Sequence, residues 1–108
     1  MLTADEGFLM LTQLCPPSQI FFVFDSDDAV YKGPGRIDNL SRDGFLVNCS
    51  DGKGLDFRFD IDELQFDTKA PAFLPEYIRQ QLPRESRLTA GLWIVFPDGS
   101  SLFLARTH

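Results

Sequence analysis

Three Asp-Gly pairs, at positions 43–44, 51–52 and 98–99, constrain the fold of this chain more than any other sequence feature. Each pair lies between segments that are apolar or that alternate between apolar and polar residues. Asp and Gly tolerate the positive φ values that tight hairpin turns require, so each pair predicts a reversal between two antiparallel strands. We therefore expect an antiparallel sheet built from hairpins.

The composition fits one small acidic domain. The chain has 108 residues, is 44% hydrophobic and contains eleven Phe residues, which is enough apolar surface for one core. We expect a single domain over residues 1–108. The formal net charge is −6 and the ten Lys and Arg residues are scattered. A phosphate backbone would meet net repulsion, so we expect no nucleic-acid partner.

No segment of the sequence predicts a membrane span or a secretion signal. The longest nearly apolar run, Ile20 to Phe24, is far short of the ~20 residues that a bilayer requires. Cys15 and Cys49 are expected to be small buried apolar side chains, with a disulfide or a reactive thiol as the alternatives. These features favour a cytoplasmic protein with no membrane partner.

Two helices are predicted outside the hairpins. Thr3 and Glu6 have the spacing of a capping box, so a first helix is expected to run to about Cys15, where two prolines follow. A short helix is expected over residues 75–82, because Pro75 suits its first position and another proline follows its end.

Apolar and alternating segments predict the strands. The expected strands cover residues 19–24, residues 30–40 with a break at Gly33-Pro34-Gly35, residues 45–49, residues 55–62, and a last hairpin of 91–96 and 101–106. In the cleanest strand Leu55, Phe57, Phe59 and Ile61 should be buried, and Asp56, Arg58, Asp60 and Asp62 should face water. The order predicts an α+β fold: N-terminal helix, curved antiparallel β-meander, short helix and C-terminal β-hairpin, with about six to seven strands.

The residues that carry catalysis in other proteins form no recognisable set here. The single histidine, His108, is the last residue of the sequence, where a base is poorly positioned, so nucleophilic catalysis is not expected. Two distant cysteines and this histidine cannot supply a closed zinc ligand set, so we expect no metal. Carboxylates on the Asp56 strand face leave an acid-base enzyme open as a third hypothesis, after two binding functions.

Residues 39–44, Asn-Leu-Ser-Arg-Asp-Gly, match the pattern [DN]-x-S-x-x-G and resemble the strand-and-turn motif of PilZ domains, which bind cyclic-di-GMP. The resemblance implies a small β-barrel that holds the nucleotide near Arg36, Asn39, Ser41 and Arg42. The family's paired arginines upstream have no counterpart, because no Arg or Lys occurs in the first 31 residues. A hairpin turn selects the same residue types, so ordinary turn chemistry is the alternative.

A longer resemblance concerns the order of elements from about Gln19 to Arg106. This order resembles that of one half-module of the bacterial haem-utilisation and haem-trafficking proteins. The similar parts are the strand at 55–59, the segment at 61–66 and the hairpin at 92–106. The haem-contacting histidine of that family has no counterpart, since Asp56 or its neighbours stand there, so we expect no cofactor. The resemblance implies a non-enzymatic binding or interaction module.

We expect the partner to be an unidentified protein or small molecule. A homodimer is a further hypothesis, because one half-module that pairs with itself would recreate the two-copy arrangement that the resemblance implies. Residues 20–24 and 91–96 also carry second apolar faces that two short helices would not easily cover. Tyr31 is a candidate because a tyrosine near the Gly-Pro-Gly segment can line a ligand site. The candidate ligand-binding residues are Tyr31, Arg36, Asn39, Ser41, Arg42, Asp56 and Arg58.

Overall fold

The computed structural model describes residues 1–69, 74–82 and 91–106. The helices in these ranges are α1, Ala4–Gln13, α2, Glu76–Arg79, and a 3₁₀-helix, Ile61–Glu63. The strands are β1, Ile20–Asp25, β2, Val30–Ser41, β3, Gly44–Cys49, β4, Gly54–Arg58, β5, Gln65–Lys69, β6, Gly91–Val95, and β7, Ser101–Arg106. The α+β class is confirmed, although strands outweigh helices.

The strands form one antiparallel sheet in the order β4-β3-β2-β1-β7-β6-β5. Every pair of neighbours is antiparallel, so over seven strands the two edge strands, β4 and β5, run in the same direction. An antiparallel hairpin cannot close the gap between them. Residues 59–64, which contain the 3₁₀-helix, connect these edges instead. The sheet is therefore an incomplete barrel.

The sheet is strongly curved. In a flat sheet, the five strand spacings between β4 and β6 would separate their residues by about 24 Å, at about 4.8 Å each. The ring of Phe57 in β4 is only 5.8 Å, centroid to centroid, from that of Phe96, the residue after β6. Phe24 in β1 is 5.0 Å from Phe57. The inner face is thus concave, with the β4 edge curled toward the β6–β7 turn.

Helix α1 covers part of the concave inner face, where it contacts β5, β6 and the 3₁₀-helix. Leu11 is fully buried at this contact. Gly7 permits the close approach, since a Cβ atom there would lie 2.3 Å from the Phe66 ring. The buried inner residues are Leu11, Leu14, Ile20, Phe22, Ile37, Phe45, Val47, Phe57, Ile61, Leu64, Phe66, Leu92, Ile94, Leu102 and Leu104.

A second apolar cluster lies on the outer face. Its buried members are Phe21, Val23, Leu74, Ile78, Phe103 and Ala105, with Leu82 and Trp93 packed against them. Ile78 belongs to α2, so this short helix and its flanking leucines cover the second faces of β1 and β7. The uncovered apolar faces that favoured a homodimer are therefore largely buried within the chain, and the homodimer stays a prediction without that support.

The predicted helix start and hairpin turns are confirmed. The Glu6 amide donates to Thr3 Oγ1 at 3.2 Å and the Thr3 amide donates to Glu6 Oε1 at 2.9 Å, which completes the capping box. All three Asp-Gly pairs lie where strands reverse, between β2 and β3, β3 and β4, and β6 and β7. The positive φ angles of Gly52 and Gly99, 93° and 90°, match this role.

The predicted break at Gly33-Pro34-Gly35 is wrong, because β2 runs through it without interruption. Pro34 pairs with Phe21 of β1, so it belongs to an interior strand. Its carbonyl accepts from the Ser50 amide on the β3 side, just beyond the last β2–β3 pair. The missing proline donor faces that same side, where the ladder has ended, so no hydrogen bond between strands is lost.

The predicted strand over 55–62 is too long. Asp60 Oδ1 accepts from the Asp62 amide at 3.0 Å, which caps the 3₁₀-helix, and the strand ends at Arg58. The predicted alternation of burial nevertheless continues, since Ile61 is buried and Asp60 and Asp62 are exposed. The next strand, β5, covers residues 65–69, which the sequence had not assigned to a strand of their own. Helix α2 is also shorter than predicted, with Pro75 at its N-cap. Residues 83–90, between the predicted short helix and the last hairpin, and His108 lie outside the described residues.

Candidate functional site

A cavity of about 350 Å³ opens on the inner face where β4 curls toward the β6–β7 turn. Its walls are four phenylalanine side chains, Phe24, Phe57, Phe59 and Phe96. The remaining lining residues are Asp56, Arg58, Glu63, Pro97, Asp98 and Ser100. We call this cavity the aromatic pocket and the four rings its walls.

The wall rings hold one another at defined angles. The Phe24 ring is nearly perpendicular to those of Phe57 and Phe96, at 82° and 89°, whereas these two rings lie within 11° of parallel. Edge-to-face and offset-stacked pairs are the favoured arrangements of aromatic side chains. Phe57 is buried, but Phe24, Phe59 and Phe96 are only half-buried. The walls are therefore preformed and partly open to solvent.

The polar lining of the aromatic pocket carries more negative than positive charge. Three carboxylates, those of Asp56, Glu63 and Asp98, accompany one guanidinium, that of Arg58. The Arg58 Nε atom lies 3.2 Å from Asp56 Oδ2, so this cation already has a partner. Hydrogen bonds from the Ser100 hydroxyl and amide lower the pKa of Asp98, which is therefore ionised at neutral pH.

Four of the seven predicted site residues meet at a second, smaller cavity. Asn39, Ser41, Asp56 and Arg58 line this space of about 210 Å³ beside the β2–β3 turn. Asp56 and Arg58 also line the aromatic pocket, so β4 separates the two cavities. Tyr31 is not part of either lining; it is exposed and its ring stacks on Phe24 with centroids 6.4 Å apart.

The two predicted arginines diverge from that smaller cavity. The Arg36 Nε atom lies 3.0 Å from Asp38 Oδ2, and Arg36 lines a separate surface cavity of about 470 Å³. The guanidinium of Arg42 lies 3.2 Å from Asp5 Oδ1 and 5.6 Å from the centre of the Phe8 ring. The structure therefore does not bring these arginines together with Asn39 and Ser41.

The three residues that define the pattern in the stretch 39–44, Asn39, Ser41 and Gly44, each have a structural role. The β2–β3 register shifts between Asp38 and Ser41, and Asn39 has a φ of 56°, a value that Asn tolerates at such a bulge. Ser41 Oγ accepts from the Asp43 amide at 3.2 Å. A Cβ atom at Gly44 would lie 2.2 Å from the Phe57 carbonyl oxygen. Turn and bulge geometry thus accounts for the pattern without a ligand.

The expected carboxylate face is only partly present. Asp56 remains on β4, but Asp60 begins the 3₁₀-helix and an Asp62 oxygen lies 3.9 Å from Arg42. Within residues 1–69, 74–82 and 91–106, no group of three or more His, Cys, Asp or Glu side chains is arranged to hold a metal ion. Asp56, Asp60 and Asp62 therefore do not share one strand face.

Both cysteines are free and half-buried. Burial raises the pKa of the Cys15 and Cys49 thiols, so both are protonated at neutral pH. A thiol is a much weaker nucleophile than a thiolate. The reactive-thiol alternative consequently loses support, and the two cysteines are not joined by a disulfide in this structure.

Sequence reasoning missed the walls of the aromatic pocket as site residues. The period-two pattern predicted that Phe57 and Phe59 face the core. Such a pattern does not indicate whether another element of the fold covers that side of the strand. One available signal was position, since Phe96 directly precedes the Pro-Asp-Gly turn and Phe24 precedes an acidic loop. The core of a sheet can open to solvent at the ends of its strands, so large aromatic residues there are candidates for a ligand site.

Comparisons of this chain with protein-family models, curated proteins and solved structures find no significant match. The two family resemblances therefore stay predictions. Among the helices in the described part of the chain, none is long and apolar enough to cross a membrane.

Proposed function

We propose that this chain is a non-enzymatic binding module whose ligand enters the aromatic pocket. Ligand sites are typically concave, mostly apolar and supplied with a few polar groups, with volumes of about 300–1,000 Å³. The aromatic pocket has these properties at a volume of about 350 Å³. The observation that carries the proposal is the three half-buried wall rings, Phe24, Phe59 and Phe96, grouped at one opening.

The polar groups of this pocket suit binding better than proton transfer. A general acid or base works best when its pKa lies near the operating pH. Hydrogen bonds from Ser100 move the pKa of Asp98 downward, away from neutrality. Asp56 is paired with Arg58 at 3.2 Å. These carboxylates contribute fixed negative charge, which orients a ligand rather than transforming it.

The haem half-module resemblance is compatible with a binding module and adds nothing about the ligand. Haem carries anionic propionates, and the carboxylates of Asp56, Glu63 and Asp98 would repel them. A PilZ-like nucleotide site beside the β2–β3 turn is the second candidate, because Asn39, Ser41 and Arg58 line one cavity there. Its phosphates would have to compete with carboxylates for the arginines.

The test is an NMR titration followed by amide chemical shifts. The probe is the uncharged isostere of choline, in which carbon replaces the quaternary nitrogen, because its tert-butyl group fits an apolar pocket without charge. We expect saturable shifts at residues 57–59, 96 and 98–100 in the wild type, and weaker binding in Phe96→Leu, which removes one ring from the walls. Phe8→Leu, which alters a half-buried ring outside the pocket, is the matched control and should bind as the wild type does.

The alternatives have distinct signatures. A haem-induced absorbance band with defined stoichiometry, or heat on addition of cyclic-di-GMP that Arg58→Gln abolishes, would replace the proposed site with the corresponding family function. Absence of pocket shifts with both the uncharged probe and choline would overturn the proposed function.

A further inference from the structure

We propose that the aromatic pocket recognises a compact organic cation, of which a quaternary ammonium group is the simplest case. This inference rests on the proposed binding function and names the class of its ligand. The pocket combines two features that attract such a group, four aromatic rings and an excess of carboxylates.

The wall rings supply the first attraction. An aromatic ring has a negative face, and cations bind over it at about 6 Å or less from the ring centre. All four wall rings line the cavity, and the Phe24 ring stands nearly perpendicular to those of Phe57 and Phe96. A cation in this space can therefore contact more than one aromatic side chain.

The carboxylates supply the second attraction. Asp56, Glu63 and Asp98 carry three negative charges against the single positive charge of Arg58. No hydrogen bond or ion pair is made by the Glu63 side chain with any other described residue. Its charge is thus available to a ligand. The formal net charge of the chain, −6, acts in the same direction.

The apolar walls decide which kind of cation fits. A metal ion or a primary ammonium group is strongly hydrated and would lose that hydration against phenylalanine rings, which cannot accept its hydrogen bonds. A quaternary ammonium group has no N–H donor to satisfy, and its methyl groups bury apolar surface. The pocket therefore favours an alkylated ammonium, either free or at the end of a larger molecule.

The experiment compares choline with its uncharged isostere, which has the same shape, by the NMR titration described above. We expect choline to bind the wild-type chain about two- to fivefold more tightly, as an exposed cation–π contact and a nearby carboxylate would provide. Added salt should reduce the difference, because the rim charges are exposed to solvent.

Two variants that change the charge of the pocket rim should shift choline affinity in opposite directions. Glu63→Gln removes a negative charge and should weaken choline binding, whereas Arg58→Gln removes the positive charge and should strengthen it. Both changes should alter binding of the uncharged isostere less than binding of choline. Arg36→Gln, which removes an exposed guanidinium from the separate surface cavity, is the matched control and should leave both affinities close to wild type.

Each outcome is decisive. If choline and its isostere bind equally well, or if both charge variants shift choline affinity in the same direction, the cation inference is wrong while the pocket remains a binding site. If neither compound perturbs residues 57–59 and 96–100, the inference and the proposed function both fail. Preference for choline with opposite effects of the two variants supports the inference.

Discussion

The inner face of the sheet has two regions that share one residue pattern and differ in what covers them. Where α1 contacts β6, Leu11 of the helix and Leu92 and Ile94 of the strand are fully buried, in an inner cluster that is mostly aliphatic. At the aromatic pocket the rings of Phe59 and Phe96 stay half-buried. The apolar pattern of a strand thus predicts which of its faces points inward. Whether that face becomes part of the core or of a binding site depends on whether another element covers it.

Helix length explains why only one region is covered. Helix α1 has ten residues and is therefore about 15 Å long, at about 1.5 Å per residue. The principal dimensions of the molecule are 34 × 27 × 27 Å. A helix of this length cannot cover the whole concave face. The curled edge of β4 brings its aromatic side chains over the uncovered part instead.

The largest expected effect belongs to the covered region. Leu11→Ala should lower the free energy of unfolding by about 2–5 kcal/mol, because it leaves a cavity beneath α1. Leu9→Ala, at a 59% exposed position of the same helix, is the control and should change stability by about 0.5 kcal/mol or less. Denaturant unfolding measures both. Similar losses in the two variants would contradict the assigned helix face.

The next effect tests how closely α1 approaches the sheet. Gly7→Ala should destabilise the chain by about 1–3 kcal/mol, because its Cβ atom would lie 2.3 Å from the Phe66 ring. Alanine favours helices over glycine by about 1 kcal/mol, so a stabilised variant in thermal unfolding would refute this close packing.

A substitution in the aromatic pocket should lower the free energy of unfolding less than Leu11→Ala does, and it should weaken ligand binding more. Phe96→Leu conserves most of the apolar volume at a half-buried position, so we expect a loss below about 1.5 kcal/mol in denaturant unfolding. Choline binding should weaken because one ring face is removed. A stability loss as large as that of Leu11→Ala would mean that the aromatic pocket is core rather than site.

The smallest effect concerns the start of α1 and depends on pH. Hydrogen bonds from the Thr3 amide and hydroxyl lower the pKa of Glu6. Ionised Glu6 therefore stabilises the folded chain at pH values above the ordinary pKa of a glutamate side chain. That contribution should disappear as the pH falls through the lowered pKa. Glu6→Gln keeps an acceptor without this titration, so its unfolding stability should depend less on acid pH than that of the wild type. Equal pH profiles would contradict the assignment.

Local sequence signals predicted most of the helices, strands and turns. They predicted less well where a strand ends and which segments meet in space. The capping box, the Asp-Gly turns and the last hairpin depend on residues close in sequence, and each was predictable. The continuity of β2 through Pro34 was not, because it depends on where β3 ends. The end of β4 depends on the side chain of Asp60 capping a turn that alternation does not reveal.

The candidate site was less predictable for the same reason. Asn39 and Ser41 could be selected from a short motif, and the structure accounts for both through local bulge and turn geometry. The wall rings of Phe24, Phe57 and Phe96 belong to distant parts of the chain that only the curvature of the sheet brings together. Sheet curvature is a tertiary property, and no single segment encodes it.

The most direct test of an open aromatic region beside a covered aliphatic one is a measurement of nuclear Overhauser effects between bound choline and the protein. We predict cross-peaks from the choline methyl protons to the rings of Phe24, Phe59 and Phe96. No cross-peaks should reach the methyl groups of Leu11 or Leu104. Contacts with those leucines, or an absence of contacts with the three rings at saturating choline, would contradict this account.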